Sequence, residues 1–259
     1  MADAGTFTDS LKLLAAKGLR YGTVMDLGCA DGHFFVQHYG LGPFAGAVPV
    51  NVDANPVYES SLKAIRDTLG GRYVIAAVTD HVGEVELTIG SHPYWSSLLG
   101  EGDAYWQRMN KLHAGKVKVP AVTVDSLARE FGLPPPFLLK LDIQGAELAV
   151  LKGARETLEA TELVICEIDL AEFQGLDRVM NEAGFSLFDV TDLRRMSDGS
   201  LGWFYAVYLT RRRDGIRNRT LWDLSVNDAV TEMQRKRRES ILAYNAGVLA
   251  EIRKARGEP

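Results

Sequence analysis

Val24-Met25-Asp26-Leu27-Gly28-Cys29-Ala30-Asp31-Gly32-His33-Phe34-Phe35 is the stretch whose reading decides the fold. A short apolar run ends in an acid, a glycine-bounded turn follows, and apolar character resumes at Phe34. The pattern predicts a buried strand, a tight turn over a ligand and the first turn of a helix. Gly28 and Gly32 leave the backbone bare where another group must approach closely. The next candidate strand, Val48–Asp53, also ends in an acid, and Asp53 lies 21 residues after Gly32. An acid about 20 residues beyond the turn is the one that binds ribose hydroxyls in a nucleotide-binding βαβ unit. Asp53 is therefore a candidate cofactor ligand, with Ala54 beside it.

The glycine spacing separates two kinds of cofactor. A dinucleotide fingerprint needs G-x-G-x-x-G around a pyrophosphate, whereas Gly28-Cys29-Ala30-Asp31-Gly32 is G-x-x-x-G. Asp31 would also put a negative charge where a pyrophosphate should sit. A cofactor without phosphates, carrying a ribose, an adenine, a sulfonium cation and an amino-acid end, suits an acidic turn better. The stretch resembles the first motif of class I methyltransferases that use S-adenosylmethionine (SAM). A nicotinamide-dependent oxidoreductase using Asp53 for ribose is the enzyme of another class that the same residues allow. A catalytically idle SAM-binding scaffold is a third reading.

Length and composition set bounds. The chain has 259 residues, 46% hydrophobic and 24% charged, ordinary values for a soluble globular protein and enough for one large α/β domain with an appendage. A net charge of −5 gives no reason to expect a nucleic-acid partner. No apolar run reaches the roughly 20 residues needed to span a bilayer, and Met1–Thr6 lacks the basic and apolar segments of a signal peptide. The two cysteines, Cys29 and Cys166, fall in or beside expected buried strands, which favours a reducing, cytoplasmic setting. No metal site is assigned, because no cysteine or histidine pair has ligand spacing.

Along the chain, residues 9–18 predict a helix capped by Asp9 or Ser10 and ended by Gly18. Pro56 opens a second helix that Gly70-Gly71 closes. Tyr73–Val78 predicts a third buried strand, with Asp80 beyond its end. Asp80 is either a contact for the adenine amino group or a solvated turn acid. Gly83–Ile89 alternates as a half-exposed strand does. The irregular stretch 91–115 carries Tyr94, Trp95, Ser96, Tyr105 and Trp106 and is a candidate substrate lid. Tyr94, Trp95 and Ser96, with His33 from the first turn, are the candidate substrate-binding residues. Val117–Val124 predicts an edge strand because of Pro120, and Asp125 or Ser126 can cap the helix after it. From Arg211 onward the composition turns basic. The segment 211–259 predicts a helical extension, whose Arg235–Arg238 run reads as a solvated face rather than a nucleic-acid arm. Trp222, Leu224, Leu242, Tyr244 and Leu249 offer a homodimer contact.

The second chemical stretch is Phe137-Leu-Leu-Lys-Leu-Asp-Ile-Gln-Gly-Ala-Glu147. A buried strand ends at Asp142, and a helix starts near Ala146. A further strand, Leu163–Ile168, brings Glu167 to the same rim. Phe185–Val190 and Trp203–Leu209 read as a closing antiparallel pair. The whole is an α/β chain with a doubly wound, seven-stranded, mostly parallel sheet.

Asp26–Gly32 and Leu139–Ala154, taken together and in this order, resemble the FkbM family of SAM-dependent methyltransferases. The family hallmark is Ile-Lys-Ile-Asp-x-Glu-Gly-x-Glu followed by Val-Leu-x-Gly-Ala. Asn55-Pro56 and Val122–Leu127 match as well, and residues 10–210 are covered. The sequence departs at Gln144, where the family usually has glutamate, and at Cys29-Ala30-Asp31. The resemblance implies a Rossmann-like class I fold over residues 1–210 and methyl transfer to a hydroxyl of a sugar, polyketide or other small metabolite. It implies SAM held by Asp26, Gly28, Cys29, Gly32, Asp53, Ala54, Asp80 and Asp142. Methyl transfer needs the acceptor proton removed, and a carboxylate at a strand end can do so. Asp142 is the expected base, and Glu167 is expected to position the acceptor. Lys140 and Glu147 are expected to pair and orient the turn.

Overall fold

Charge placement and strand burial explain the architecture best when taken together. In the computed structural model, which describes residues 5–39, 44–90, 94, 96–99, 113–217 and a few isolated positions between 235 and 254, the chain divides into two compact units, Met1–Ile216 and Arg217–Pro259. The expected dimer contact in the second unit lies outside the described residues.

The first unit opens with helix α1 (Phe7–Ala16), which starts two residues before the expected position. Thr6, not Asp9 or Ser10, is its cap: Thr6 Oγ1 accepts from the Asp9 amide, and the Asp9 carboxylate accepts from the Thr6 amide. This reciprocal box satisfies two donors that a helix start otherwise leaves bare. Strand β1 (Thr23–Leu27) is buried along its whole length. Helix α2 (His33–His38), strand β2 (Val48–Asp53), helix α3 (Glu59–Leu69) and strand β3 (Arg72–Ile75) follow. The expected third strand breaks at Ala76. Its last residues form β4 (Ala77–Val78), which joins β5 (Gly83–Gly90) and β6 (His113–Val122) in a separate three-stranded sheet of order β4-β6-β5. Pro120 is thus on a central strand and not an edge. It is tolerated because β4 pairs with only Ala121 and Val122, leaving β6 open on that side at Pro120.

Helix α4 (Val124–Glu130) is capped by Thr123. Strand β7 (Phe137–Leu141) leads to α5 (Glu147–Lys152) and α6 (Arg155–Glu159). The single helix expected after Ala146 is interrupted at Gly153, whose missing side chain lets the turn lie against the Thr79 carbonyl. Asp125 does not cap its own helix; it accepts from the Glu156 and Thr157 amides and so caps α6. The chain then runs through β8 (Thr161–Asp169), α7 (Phe173–Glu182), β9 (Phe185–Arg195) and β10 (Leu201–Thr210).

The main sheet has seven strands in the order β3-β2-β1-β7-β8-β10-β9. The first five run parallel, and β10 is antiparallel to both β8 and β9. Two apolar layers cover its faces. One is built on Met25, Leu27, Leu139, Leu141, Val150 and Leu176. The other sets Leu11, Leu14, Phe34 and Phe44 against Val24, Leu138 and Ile165. Alternate strand residues feed opposite layers, as a sheet buried on both faces requires. The strand order reverses direction between β1 and β7, and a crevice opens at the carboxyl ends of these strands, where such sheets bind ligands.

Candidate active site

The crevice is a cavity of about 420 Å³, within the range of roughly 300–1,000 Å³ common for small-molecule sites. The loops after β1, β2, β7 and β8 wall it, with the end of β10 and part of the small sheet.

The first loop is held by its neighbour. Asp53, at the end of β2, accepts from the Ala30 amide with one carboxylate oxygen and from the Asn55 amide with the other, both at 2.8 Å. Ala30 sits at φ 49°, a left-handed conformation costly for a residue with a Cβ, and the hydrogen bond from its amide holds it there. Gly28, at φ 76°, packs against the next loop so closely that a Cβ would overlap the Asp142 carbonyl. Burial pushes the Asp53 carboxyl up to about 6.

The second loop carries most of the charge. Asp26 and Lys140 are partners in the register of β1 with β7. Both are buried, and the Lys140 ammonium lies 3.1 Å from Asp26 and 3.3 Å from Asp142. Burial disfavours the Lys140 charge, but these two carboxylates outweigh it and hold the ammonium well above its ordinary value. Lys140 therefore pairs with Asp26 and Asp142, not with Glu147. Glu147 instead accepts from the Ile143 and Gly145 amides at 3.3 and 3.1 Å and ties its own turn. Burial raises that carboxyl to about 7.

Asp142 has a crowded environment. It accepts from the Tyr205 hydroxyl at 2.6 Å and from Gln144 Nε2 at 3.1 Å. The same Gln144 nitrogen lies 2.9 Å from Glu167 Oε2 and donates to it. One Gln144 nitrogen thus bridges the two carboxyl groups and sets them side by side. Burial would raise Asp142, yet Lys140, then Tyr205, Glu167 and Gln144 overcome it and hold this carboxyl below its usual range. Burial, followed by the Asp142 charge, drives Glu167 well above its own. Two adjacent carboxyl groups with opposite shifts titrate as a pair. Gln144 is itself left-handed, at φ 61°, and the Ser97 hydroxyl donates to its carbonyl at 2.7 Å.

Of the residues singled out from sequence, the cavity brings together Gly28, His33, Asp53, Ala54, Tyr94, Ser96, Asp142 and Glu167. Asp26 and Cys29 are buried behind it, and Gly32 backs onto Leu62 and Ile65. The Cys29 thiol is pushed well up by burial, so it is not a thiolate. Asp80 is a correction: it is exposed, accepts from its neighbour His81 at 2.9 Å and does not line the cavity, whose wall here is Ala76, Ala77 and Val78. The break after β3 turns the chain into the small sheet before Asp80 can reach the rim. His33 Nδ1 is 2.8 Å from Asp31 at the cavity mouth, and the Tyr94 hydroxyl donates to the other Asp31 oxygen at 3.2 Å. Ser96 Oγ accepts from Asn55 Nδ2 at 3.2 Å. Trp95 lies outside the described residues, as do Tyr105 and Trp106. Sequence reasoning missed the cavity roles of Tyr58, Ser97, Trp203 and Tyr205. The last two carry a readable signal: period-2 alternation puts them on one face of β10, opposite Asp169 and Glu167 of β8.

Sheet order and crevice position define a Rossmann-like fold, with the acid at the end of β2, Asp53, on the cavity wall. The sequence model described as "Methyltransferase FkbM domain" matches residues 26–187, and the chain belongs to the FkbM methyltransferase family. That membership sets the oxidoreductase reading aside. Hexuronic acid methyltransferase AglP of Haloferax volcanii is 30% identical over 89 residues, which is 34% of this chain and 37% of that protein. The chain thus matches little more than a third of that relative's length. Among solved structures, methyltransferase FkbM of Methylobacillus flagellatus KT aligns with 14% identity over 71% of this chain and 43% of its own, with a TM-score of 0.44. Aeropyrum pernix fibrillarin, solved with natively bound SAM, aligns with 15% identity over 76% of this chain and 74% of its own, with a TM-score of 0.39.

Proposed function

We propose that this chain transfers the methyl group of SAM to a hydroxyl oxygen of a small metabolite such as a sugar or polyketide. The observation that carries the reading is the Asp142–Glu167 carboxyl pair facing the same cavity as Asp53. The residues suit such a cofactor. Each Asp53 oxygen accepts one amide and keeps lone-pair capacity for a ribose hydroxyl. Ala76, Ala77, Val78 and Leu87 offer an apolar wall for a flat base. The acids at the other end complement a cationic group.

When bound, SAM supplies a methyl carbon made electrophilic by its sulfonium sulfur. The chain's task is to align an acceptor hydroxyl behind that carbon and to take its proton. The Asp142–Glu167 pair would receive the proton that the acceptor hydroxyl gives up. Tyr205 and Lys140 orient Asp142 throughout, because both hold one face of its carboxylate. Cavity walls of Ile143, Ile168 and Trp203 exclude water from the reacting centre.

Calorimetric titration with SAM, S-adenosylhomocysteine and NAD tests the cofactor, and release of S-adenosylhomocysteine with a panel of hydroxyl, amine and thiol acceptors tests the reaction. Binding of the first two compounds without NAD, and turnover with hydroxyl acceptors, is expected. Binding of NAD alone, or turnover confined to amines or thiols, would overturn the reading.

A further inference from the structure

The buried charges at the end of β7 do not balance. Among the described residues, one ammonium, Lys140, serves both Asp26 and Asp142, and Glu167 lies beyond Asp142, bridged to it by Gln144. Lys140 faces Asp26 from β1 and Asp142 from its own strand, so little of its charge reaches Glu167. From β10, Tyr205 contributes a hydroxyl and no charge. Glu147 adds a further carboxyl within the turn, whereas Asp169 and Glu172, on the rim, have partners of their own. Gln144 touches both Asp142 and Glu167 through one nitrogen. An amide can donate to two carboxylate oxygens, but it cannot neutralise them. Two adjacent carboxyl groups that share one amide nitrogen do not both stay ionised at low dielectric without a second cation.

We propose that Asp142 and Glu167 share one proton before the cofactor binds and release it to solvent when a sulfonium cation enters, so that cofactor binding itself turns Glu167 into the base. The proposal rests on the methyl-transfer reading. Proton and charge balance round the cycle. On binding, one positive charge arrives and one proton leaves. During transfer, the acceptor hydroxyl gives its proton to the pair as the carbon–oxygen bond forms and the carbon–sulfur bond breaks. The thioether product is uncharged, so it departs from a pair already back in its singly protonated state. Asp142 stays the ionised member, because Lys140 and Tyr205 both favour its charge, and Glu167 is the member that cycles. Gln144 is a positioning residue that keeps the two carboxyls in register.

The test needs no acceptor. Calorimetry with SAM at about pH 8, in buffers of different ionisation enthalpy, counts the protons released per cofactor bound. At that pH the carboxyls of Asp53 and Glu147, raised to about 6 and about 7, are already ionised and contribute little. S-adenosylhomocysteine is the control, since it has the same amino-acid end and an uncharged sulfur. The wild-type protein is expected to release about one proton more with SAM than with S-adenosylhomocysteine, and Glu167→Gln is expected to remove that difference while still binding both. Infrared difference spectra of the wild type, which need no variant, should lose the carbonyl stretch of a protonated carboxyl on adding SAM. Equal proton release with the two compounds, or an unchanged carboxyl band, would overturn the proposal with SAM binding intact. Absence of any SAM heat would overturn the methyl-transfer reading with it.

Discussion

The loops after β1 and β7 leave the carboxyl ends of adjacent central strands, and they are built to the same plan. Each contains a left-handed non-glycine residue, Ala30 in one and Gln144 in the other. Each has a carboxylate that accepts two backbone amides, Asp53 for the first and Glu147 for the second. The difference lies in where that carboxylate comes from. Asp53 belongs to the next strand and still faces the cavity, so it ties the turn and can also meet a ligand there. Glu147 belongs to the loop it ties, which relieves Asp142 of structural duty and leaves it to the carboxyl pair.

Four substitutions can break or sharpen this contrast. Asp142→Asn should have the largest effect, a drop in turnover on the order of 10²–10⁴-fold, with SAM affinity changed far less; a rate assay and a titration on the same preparation check both. Gly28→Ala attacks the contact between the loops, where a Cβ overlaps the Asp142 carbonyl. Its left-handed backbone adds strain, and a loss of about 2–4 kcal/mol in urea unfolding is expected. A loss under half a kilocalorie would mean that the loops can part freely. Asp53→Ala should weaken SAM binding by about 1–3 kcal/mol, and unchanged affinity would strip Asp53 of its second role. With its carboxyl at about 6, wild-type SAM affinity should also fall as pH drops below that value.

Glu147→Gln is the mildest test. Gln keeps an oxygen for both amides and removes the charge. The Glu147 carboxyl stands at about 7 in the folded chain against about 4.3 unfolded, so the folded state binds more protons between these values. Its contribution to stability is present at low pH and is lost as pH rises toward 7 and beyond. The glutamine variant should therefore gain on the wild type by about 1–3 kcal/mol at pH 8 and lose that advantage near pH 4. A difference that does not vary with pH would mean that the Glu147 carboxyl is not raised in the folded chain.

Much of this contrast is legible in sequence because both loops follow short, fully buried strands. Apolar runs ending in Asp26, Asp53 and Asp142 locate the rim, and the glycines mark where backbone meets backbone. Asp80 misleads because its run looks like one strand; only tertiary pairing of Ala77 and Val78 with Ala121 and Val122 turns it aside. Lys140 and Glu147 look like an ion pair, yet strand register gives Lys140 to Asp26 and local amides claim Glu147. Alternation along β10 gives Tyr205 its face but not its partner, since the contact with Asp142 spans 63 residues and depends on the register of β10 with β8. Thr6 escaped notice as a helix cap because Asp9 and Ser10 are equally good capping residues.

The backbone contact between Gly28 and Asp142 also bears on how such an enzyme can diversify. A change in either loop is transmitted to the other, so cofactor grip and proton chemistry are inherited as one block. The wall formed by Ile168 and Trp203 lies apart from that contact. New acceptors can be explored there by ordinary substitution, while the linked loops keep the shared machinery fixed.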